Sequence, residues 1–112
     1  MLPVQCKVPF DSEEHLFEPK IDGIRALLHA DFASGKIEIY TRHGTRCTGQ
    51  FPEFQGLTLP ARDVIIDGEL TVFTGDQPDF ARVMRRFACA AEKPKKLACE
   101  APATLVAFDV LY

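Results

Sequence analysis

The sequence has no long apolar run, no closely spaced cysteines, no internal repeats and no excess of positive charge, and each absence removes a class of function. Without a membrane-length apolar run or a signal-peptide pattern, membrane insertion and secretion are not indicated, and a cytoplasmic protein is expected. The cysteines Cys6, Cys47, Cys89 and Cys99 form no C-x-x-C pair. Together with the scattered His15, His29 and His43 they do not spell a zinc site. They read as free thiols of a reducing compartment. A net charge of −3 excludes a chain that holds nucleic acid by bulk charge, so any such contact must come from a local basic patch. What remains is 112 residues, 46% hydrophobic and 26% charged, which suits one small globular domain with a modest core.

The pattern along the chain is strands in hairpins with one clear helix. Met1 to Ser12 is irregular, and Leu16 to Ile21 reads as extended because Pro19 excludes a helix interior. Arg25 to Phe32 is a candidate strand, ambiguous with helix on propensity alone, and Ala33-Ser34-Gly35 looks like a hairpin loop. Lys36 to Arg42 alternates cleanly, with Ile37, Ile39 and Thr41 on one face. A turn follows at Thr41-Arg42-His43-Gly44, and Phe51 to Phe54 opens a short helix limited by Gly56 and Pro60. Asp63 to Phe73 is the strongest strand, and Thr74 to Pro78 is a turn. Phe80, Val83, Met84 and Phe87 follow helical spacing, predicting an amphipathic helix from Asp79 to about Ala91. Lys93-Pro94-Lys95-Lys96 reads as a solvated break, and Ala103 to Tyr112 returns to strand. The fold class is α+β with a mainly antiparallel sheet.

Chemistry concentrates in Glu18-Pro19-Lys20-Ile21-Asp22-Gly23-Ile24-Arg25. In an extended segment Glu18, Lys20 and Asp22 line one face. An amine is nucleophilic only after losing a proton, and nearby carboxylates oppose that loss. A metal or a bound nucleotide would have to change the balance. Gly23 allows close backbone approach, and Arg25 can fork onto a ribose or phosphate oxygen. The bland alternative is a solvated lysine beside an Asp-Gly turn. Asp67-Gly68-Glu69 puts two carboxylates inside an apolar strand, which is costly unless they are paired or metal-bound. A carboxylate there suits Mg²⁺, which takes oxygen ligands and substrate phosphates. A glycine bulge with exposed acids is the alternative. Phe108-Asp109 sends its side chains to opposite faces, and Phe108 by itself reads as core. Arg82, Arg85 and Arg86, followed by Lys93, Lys95 and Lys96, form the basic cluster of an acidic chain. It can grip phosphates or simply be a solvated helix face.

Taken together, these segments resemble the covalent nucleotidyltransferase superfamily, and more closely the adenylation domain of bacterial ATP-dependent DNA ligases, including those of end-joining systems. The Glu18–Arg25 segment is similar to the family's first motif, with Lys20 at the place of the lysine that becomes adenylated. Tyr40-Thr41-Arg42-His43-Gly44 with Phe51-Pro52-Glu53 resembles the ligase segment that follows. Ile66-Asp67-Gly68-Glu69-Leu70 resembles the third motif, and Phe108-Asp109-Val110-Leu111-Tyr112 the aromatic-acid motif after it. The resemblance implies a partial nucleotidyltransferase (ATP-grasp-like) domain. It implies ATP and Mg²⁺ or Mn²⁺ as cofactors, and nicked double-stranded DNA as partner in repair or recombination. Lys20 would be catalytic. Glu18 would sit near adenine, Arg25 near ribose and Arg42 near phosphate or the nick. Glu69 would hold ribose or metal, and Phe108 would stack on the base.

Family members continue past Phe-Asp-x-Leu-Tyr into a further acidic motif and a lysine-containing motif. The resemblance therefore implies that residues 1–112 are the N-terminal part of the adenylation domain, with phosphate-neutralising lysines to come from a missing C-terminal half. A non-catalytic nucleotide- or DNA-binding remnant, an RNA ligase or capping-type relative, and a structural domain with chance motifs are the alternatives.

Overall fold

A computed structural model describes residues 4–89 and 93–112. Its centre is an antiparallel sheet whose longest strand, β3 (Asp63–Thr74), is flanked on one side by β1 (Ile24–Asp31) and on the other by an edge strand, β5 (Ala103–Val110). β2 (Lys36–Thr41) pairs outside β1, and the two-residue β4 (Gln77–Pro78) folds back on the end of β3 around Gly75. Two short 3-10 helices, Thr48–Gln50 and Pro52–Gly56, precede β3, while helices α1 (Phe80–Phe87) and α2 (Pro94–Glu100) separate it from β5.

Alternation decides which face closes. Ala26, Leu28 and Ala30 of β1 meet Ile37 and Ile39 of β2 and Val64, Leu70 and Val72 of β3 on the buried side. Phe51 from the 3-10 segment and Val83 from α1 complete this core. Thr41 is buried with Ile37 and Ile39, so the alternation read from β2 holds. The β1–β2 turn is built by Asp31, whose carboxylate accepts from the Ala33 and Ser34 amides at 2.9 and 3.2 Å and from the Ser34 hydroxyl at 2.6 Å. Cys47 lies in the core, where burial pushes its thiol up to about 11. All four cysteines are free thiols.

Several elements depart from the sequence expectation. Leu16 to Ile21 joins no strand. α1 ends at Phe87 rather than near Ala91, and Ala90 and Ala91 lie outside the described residues. The Lys93–Lys96 stretch is not a break but the start of α2. Pro94 occupies the first turn, where its missing amide costs nothing, and the helix closes with the Ala101 amide donating to the Leu97 carbonyl at 2.8 Å.

The largest correction concerns Arg86, grouped with Arg82 and Arg85 as an exposed basic cluster. Its side chain is 1% exposed. Its guanidinium donates to both Glu53 carboxylate oxygens at 2.8 Å, to the Gln50 carbonyl at 2.8 Å and to the Ala101 carbonyl at 2.7 Å. Glu53 also accepts from the Ala103 amide at 2.9 Å, at the first residue of β5. One ion pair thus ties the 3-10 segment, both helices and the edge strand together. Burial pulls the Glu53 carboxyl up, but the bonds from Arg86 and Ala103 outweigh it and leave it below the ordinary range. Among the described residues no helix is long and apolar enough to cross a membrane.

Candidate active site

At the start of β1 the chain passes unusually close to β3. A Cβ on Gly23 would stand 2.2 Å from the Leu70 carbonyl oxygen and 2.9 Å from Glu69 Cγ, so only glycine fits. This approach carries the preceding Pro19–Asp22 loop over the end of the sheet and places Lys20 beside β3. Lys20 is 85% exposed, and its Nζ reaches one Asp22 carboxylate oxygen at 3.4 Å.

A cavity of about 780 Å³ opens here. Its polar wall brings together Lys20, Arg25, Arg42 and Glu69 from the loop, β1, the turn after β2 and β3. Its apolar wall is Phe108 of β5 with Phe80, Met84 and Phe87 of α1. Five residues singled out in the sequence, of which Lys20 and Phe108 lie 88 positions apart, therefore face one space. Glu18 is exposed and does not line it. The spacing of the α1 residues signals only an apolar helix face, not a site wall; in the fold Val83 faces the core while Phe80, Met84 and Phe87, at spacings of four and three, reach the cavity.

Phe108 owes its position to a bulge. β5 pairs Ala107 with Gly68 and Asp109 with Asp67, which leaves Phe108 as the extra residue between them. Gly68 makes the close pairing possible, because a Cβ there would meet the Val106 carbonyl oxygen at 2.5 Å. Phe108 is accordingly half exposed and is not a core residue.

The two acids of β3 have different partners. Arg25 grips Asp67 with both prongs, Nε to Oδ1 at 3.1 Å and Nη2 to Oδ2 at 2.7 Å. That hydrogen bond holds the Asp67 carboxyl below, and the Arg25 guanidinium above, its ordinary value. Glu69 faces the cavity instead. Burial raises its carboxyl against the opposing pull of Lys20, the Gly23 amide and Arg25. Among the described residues no group of three or more His, Cys, Asp or Glu side chains could hold a metal by itself. Glu69 is the carboxylate that the cavity wall offers. A single carboxylate fits Mg²⁺ that keeps most of its oxygen ligands from substrate phosphates and water.

Comparison with known proteins bears on the family and the fold. The chain is 36% identical, over its whole length, to the SPbeta prophage-derived DNA ligase-like protein LigB of Bacillus subtilis, and spans 38% of that protein. It is 36% identical to DNA ligase C2 of Mycolicibacterium smegmatis across 85% of its residues, which is 27% of that ligase. Its fold superimposes on mycobacterial DNA ligase D, solved with ATP and MES, with a TM-score of 0.63 at 26% identity, covering 85% of this chain and 28% of that one. The chain thus spans little more than a third of its relatives' length at most. Residues 4–112 match the model of the ATP dependent DNA ligase domain, and the chain belongs to that family.

Proposed function

We propose that this chain is the N-terminal, nucleotide-accepting part of a DNA ligase adenylation domain, in which Lys20 takes AMP from ATP as the first step of sealing a nick. The observation that carries the reading is the convergence of Lys20, Arg25, Arg42, Glu69 and Phe108 on one cavity. Deprotonated Lys20 Nζ attacks the α-phosphorus. An N–P bond forms, the P–O bond to the β-phosphate breaks, and pyrophosphate departs. The AMP then passes to a 5′-phosphate of nicked double-stranded DNA, and a 3′-hydroxyl displaces it.

The walls divide the work. Phe108, with the apolar α1 face nearby, takes the adenine ring, while Glu18, outside the cavity, is not needed for this placement. Arg25, held flat by Asp67, presents guanidinium hydrogens to the ribose. Arg42 neutralises phosphate charge, on the nucleotide or at the nick. Glu69 would hold the ribose or the Mg²⁺ or Mn²⁺ that accompanies ATP, and that ion supplies neutralisation of phosphate charge. Catalysis on this reading is positioning plus charge neutralisation. Complete nick sealing draws on groups supplied by a C-terminal half or by other end-joining proteins. The setting is cytoplasmic DNA repair or recombination.

Intact mass after incubation with ATP and Mg²⁺, beside Lys20→Ala, tests the first step. A gain of one AMP unit that disappears in the variant is expected. No gain in the parent chain would overturn autonomous adenylation and favour a binding remnant. Comparing nicked DNA and nicked RNA in a chain that carries the complementing half tests the polymer assignment.

A further inference from the structure

Lys20 stands on an exposed loop whose side-chain contact is one long ion pair, so something else must hold its backbone in place. Contacts from two alternate residues of β3 do so, one of them a hydrogen bond. The Thr71 hydroxyl, on a fully buried side chain, donates to the Asp22 carbonyl at 3.0 Å. Two residues earlier on the same strand and face, the Glu69 side chain lies against Gly23, its Cγ 2.9 Å from where a Cβ on that residue would stand. The bond from Thr71 fixes the Asp22–Gly23 peptide group, whose amide belongs to Gly23, immediately where Gly23 passes close to the Leu70 carbonyl.

We propose that Thr71 is a positioning residue for Lys20: its hydroxyl pins the Asp22 carbonyl to β3 and thereby sets where the nucleophile's loop leaves the sheet. The inference rests on the adenylation reading for its consequence, but not for its geometry. A hydrophobic residue of the same shape would pack equally well in this buried strand position, so packing alone does not call for a hydroxyl. The donor is spent on the backbone carbonyl of an exposed loop residue, so the bond ties the loop to the strand. Displacing a reacting group by about 1 Å lowers the rate of a positioned reaction by up to roughly a hundredfold.

The test uses three forms of this chain: the parent, Thr71→Val, which keeps the shape and loses the donor, and Thr71→Ser, which keeps the donor. Single-turnover formation of the lysine–AMP adduct is followed against ATP concentration, and hydrogen exchange of the Gly23 amide is measured without nucleotide. Thr71→Val is expected to lower the maximal rate about ten- to a hundredfold with little change in the ATP concentration giving half that rate. Thr71→Ser is expected to recover most of it, and Gly23 exchange to accelerate in Thr71→Val alone. A Thr71→Ser variant as slow as Thr71→Val, or unchanged Gly23 exchange in Thr71→Val, would overturn the proposal. If the parent forms no adduct, the adenylation reading fails, and the exchange rates still decide whether Thr71 holds the loop. If Thr71→Val does not fold, Thr71→Ser against the parent decides: parent-like Gly23 exchange supports the role of the hydroxyl, and faster exchange overturns it.

Discussion

Two arginines grip carboxylates with both prongs in regions that ask opposite things of them. Arg86 is sealed between the 3-10 segment, the helices and β5; its two terminal nitrogens also donate to the Gln50 and Ala101 carbonyls, while its buried Nε makes no hydrogen bond among the described residues. Arg25 lies beside the cavity, with its side chain 27% exposed and Asp67 as its carboxylate. The same pair is a structural joint where it is buried among carbonyls and an orienting device where it borders open space. The difference teaches that charge type and pairing do not distinguish the two roles, whereas burial does.

The sharpest test of that division is Arg86→Met. It removes the cation but keeps apolar volume, leaving Glu53 with the Ala103 amide and three backbone segments without their joint. Breaking a buried pair from one side costs about 3–5 kcal/mol, a large part of the stability of so small a domain. Urea denaturation should show this as a lower midpoint or as loss of the cooperative transition. A loss no larger than that of an equivalent Arg25→Met change would erase the distinction.

A second test uses pH. The Glu53 carboxyl is depressed in the folded chain from its ordinary 4.5. A depressed acid contributes stability that is fully present above the unfolded value and is lost as pH falls through the folded one. Parent stability should therefore fall on acidification from about pH 5 to about pH 3, and Glu53→Gln should fall less steeply over the same range. Parallel slopes would mean that Glu53 is not the acid that couples folding to pH. Asp67 is depressed in the same direction by Arg25, so Asp67→Asn should also flatten the curve, by less because Arg25 is more exposed.

How much of this could be read beforehand follows from how local each signal is. β2 announces itself because Ile37, Ile39 and Thr41 alternate within six residues, and β3 because its apolar run is long. The Lys20 and Glu69 segments are equally legible, each being a contiguous run of unusual residues. Arg86 is not legible as a buried joint because its partners Gln50, Glu53 and Ala101 are 36, 33 and 15 positions away. A local clue existed, since Arg86 lies three residues past Val83 and so shares its buried helix face. α2 was hidden by Pro94, which ends helices from inside but starts them at the first turn. The part of the site contributed by α1 was illegible for a different reason. An apolar helix face looks the same whether it covers a core or walls a cavity, and β3–α1 packing decides which.

The smallest effect on stability, and the most informative for the site, should come from Asp67→Asn. Asparagine keeps the shape, but one of its terminal groups is an amide nitrogen. That nitrogen would face an Arg25 donor, so one of the two bonds at 3.1 and 2.7 Å is lost and the other loses its charge. At a partly solvated pair this costs about 1 kcal/mol of stability. Arg25 would then lose the fixed plane that the carboxylate imposes. On the proposed adenylation the ATP concentration for half-maximal adduct formation should rise several-fold, with Lys20 still modified at saturation. Should Asp67→Asn instead unfold the chain as Arg86→Met does, Arg25 would be a second structural joint, and the nucleotide would have to be oriented by Arg42 and Glu69 without it.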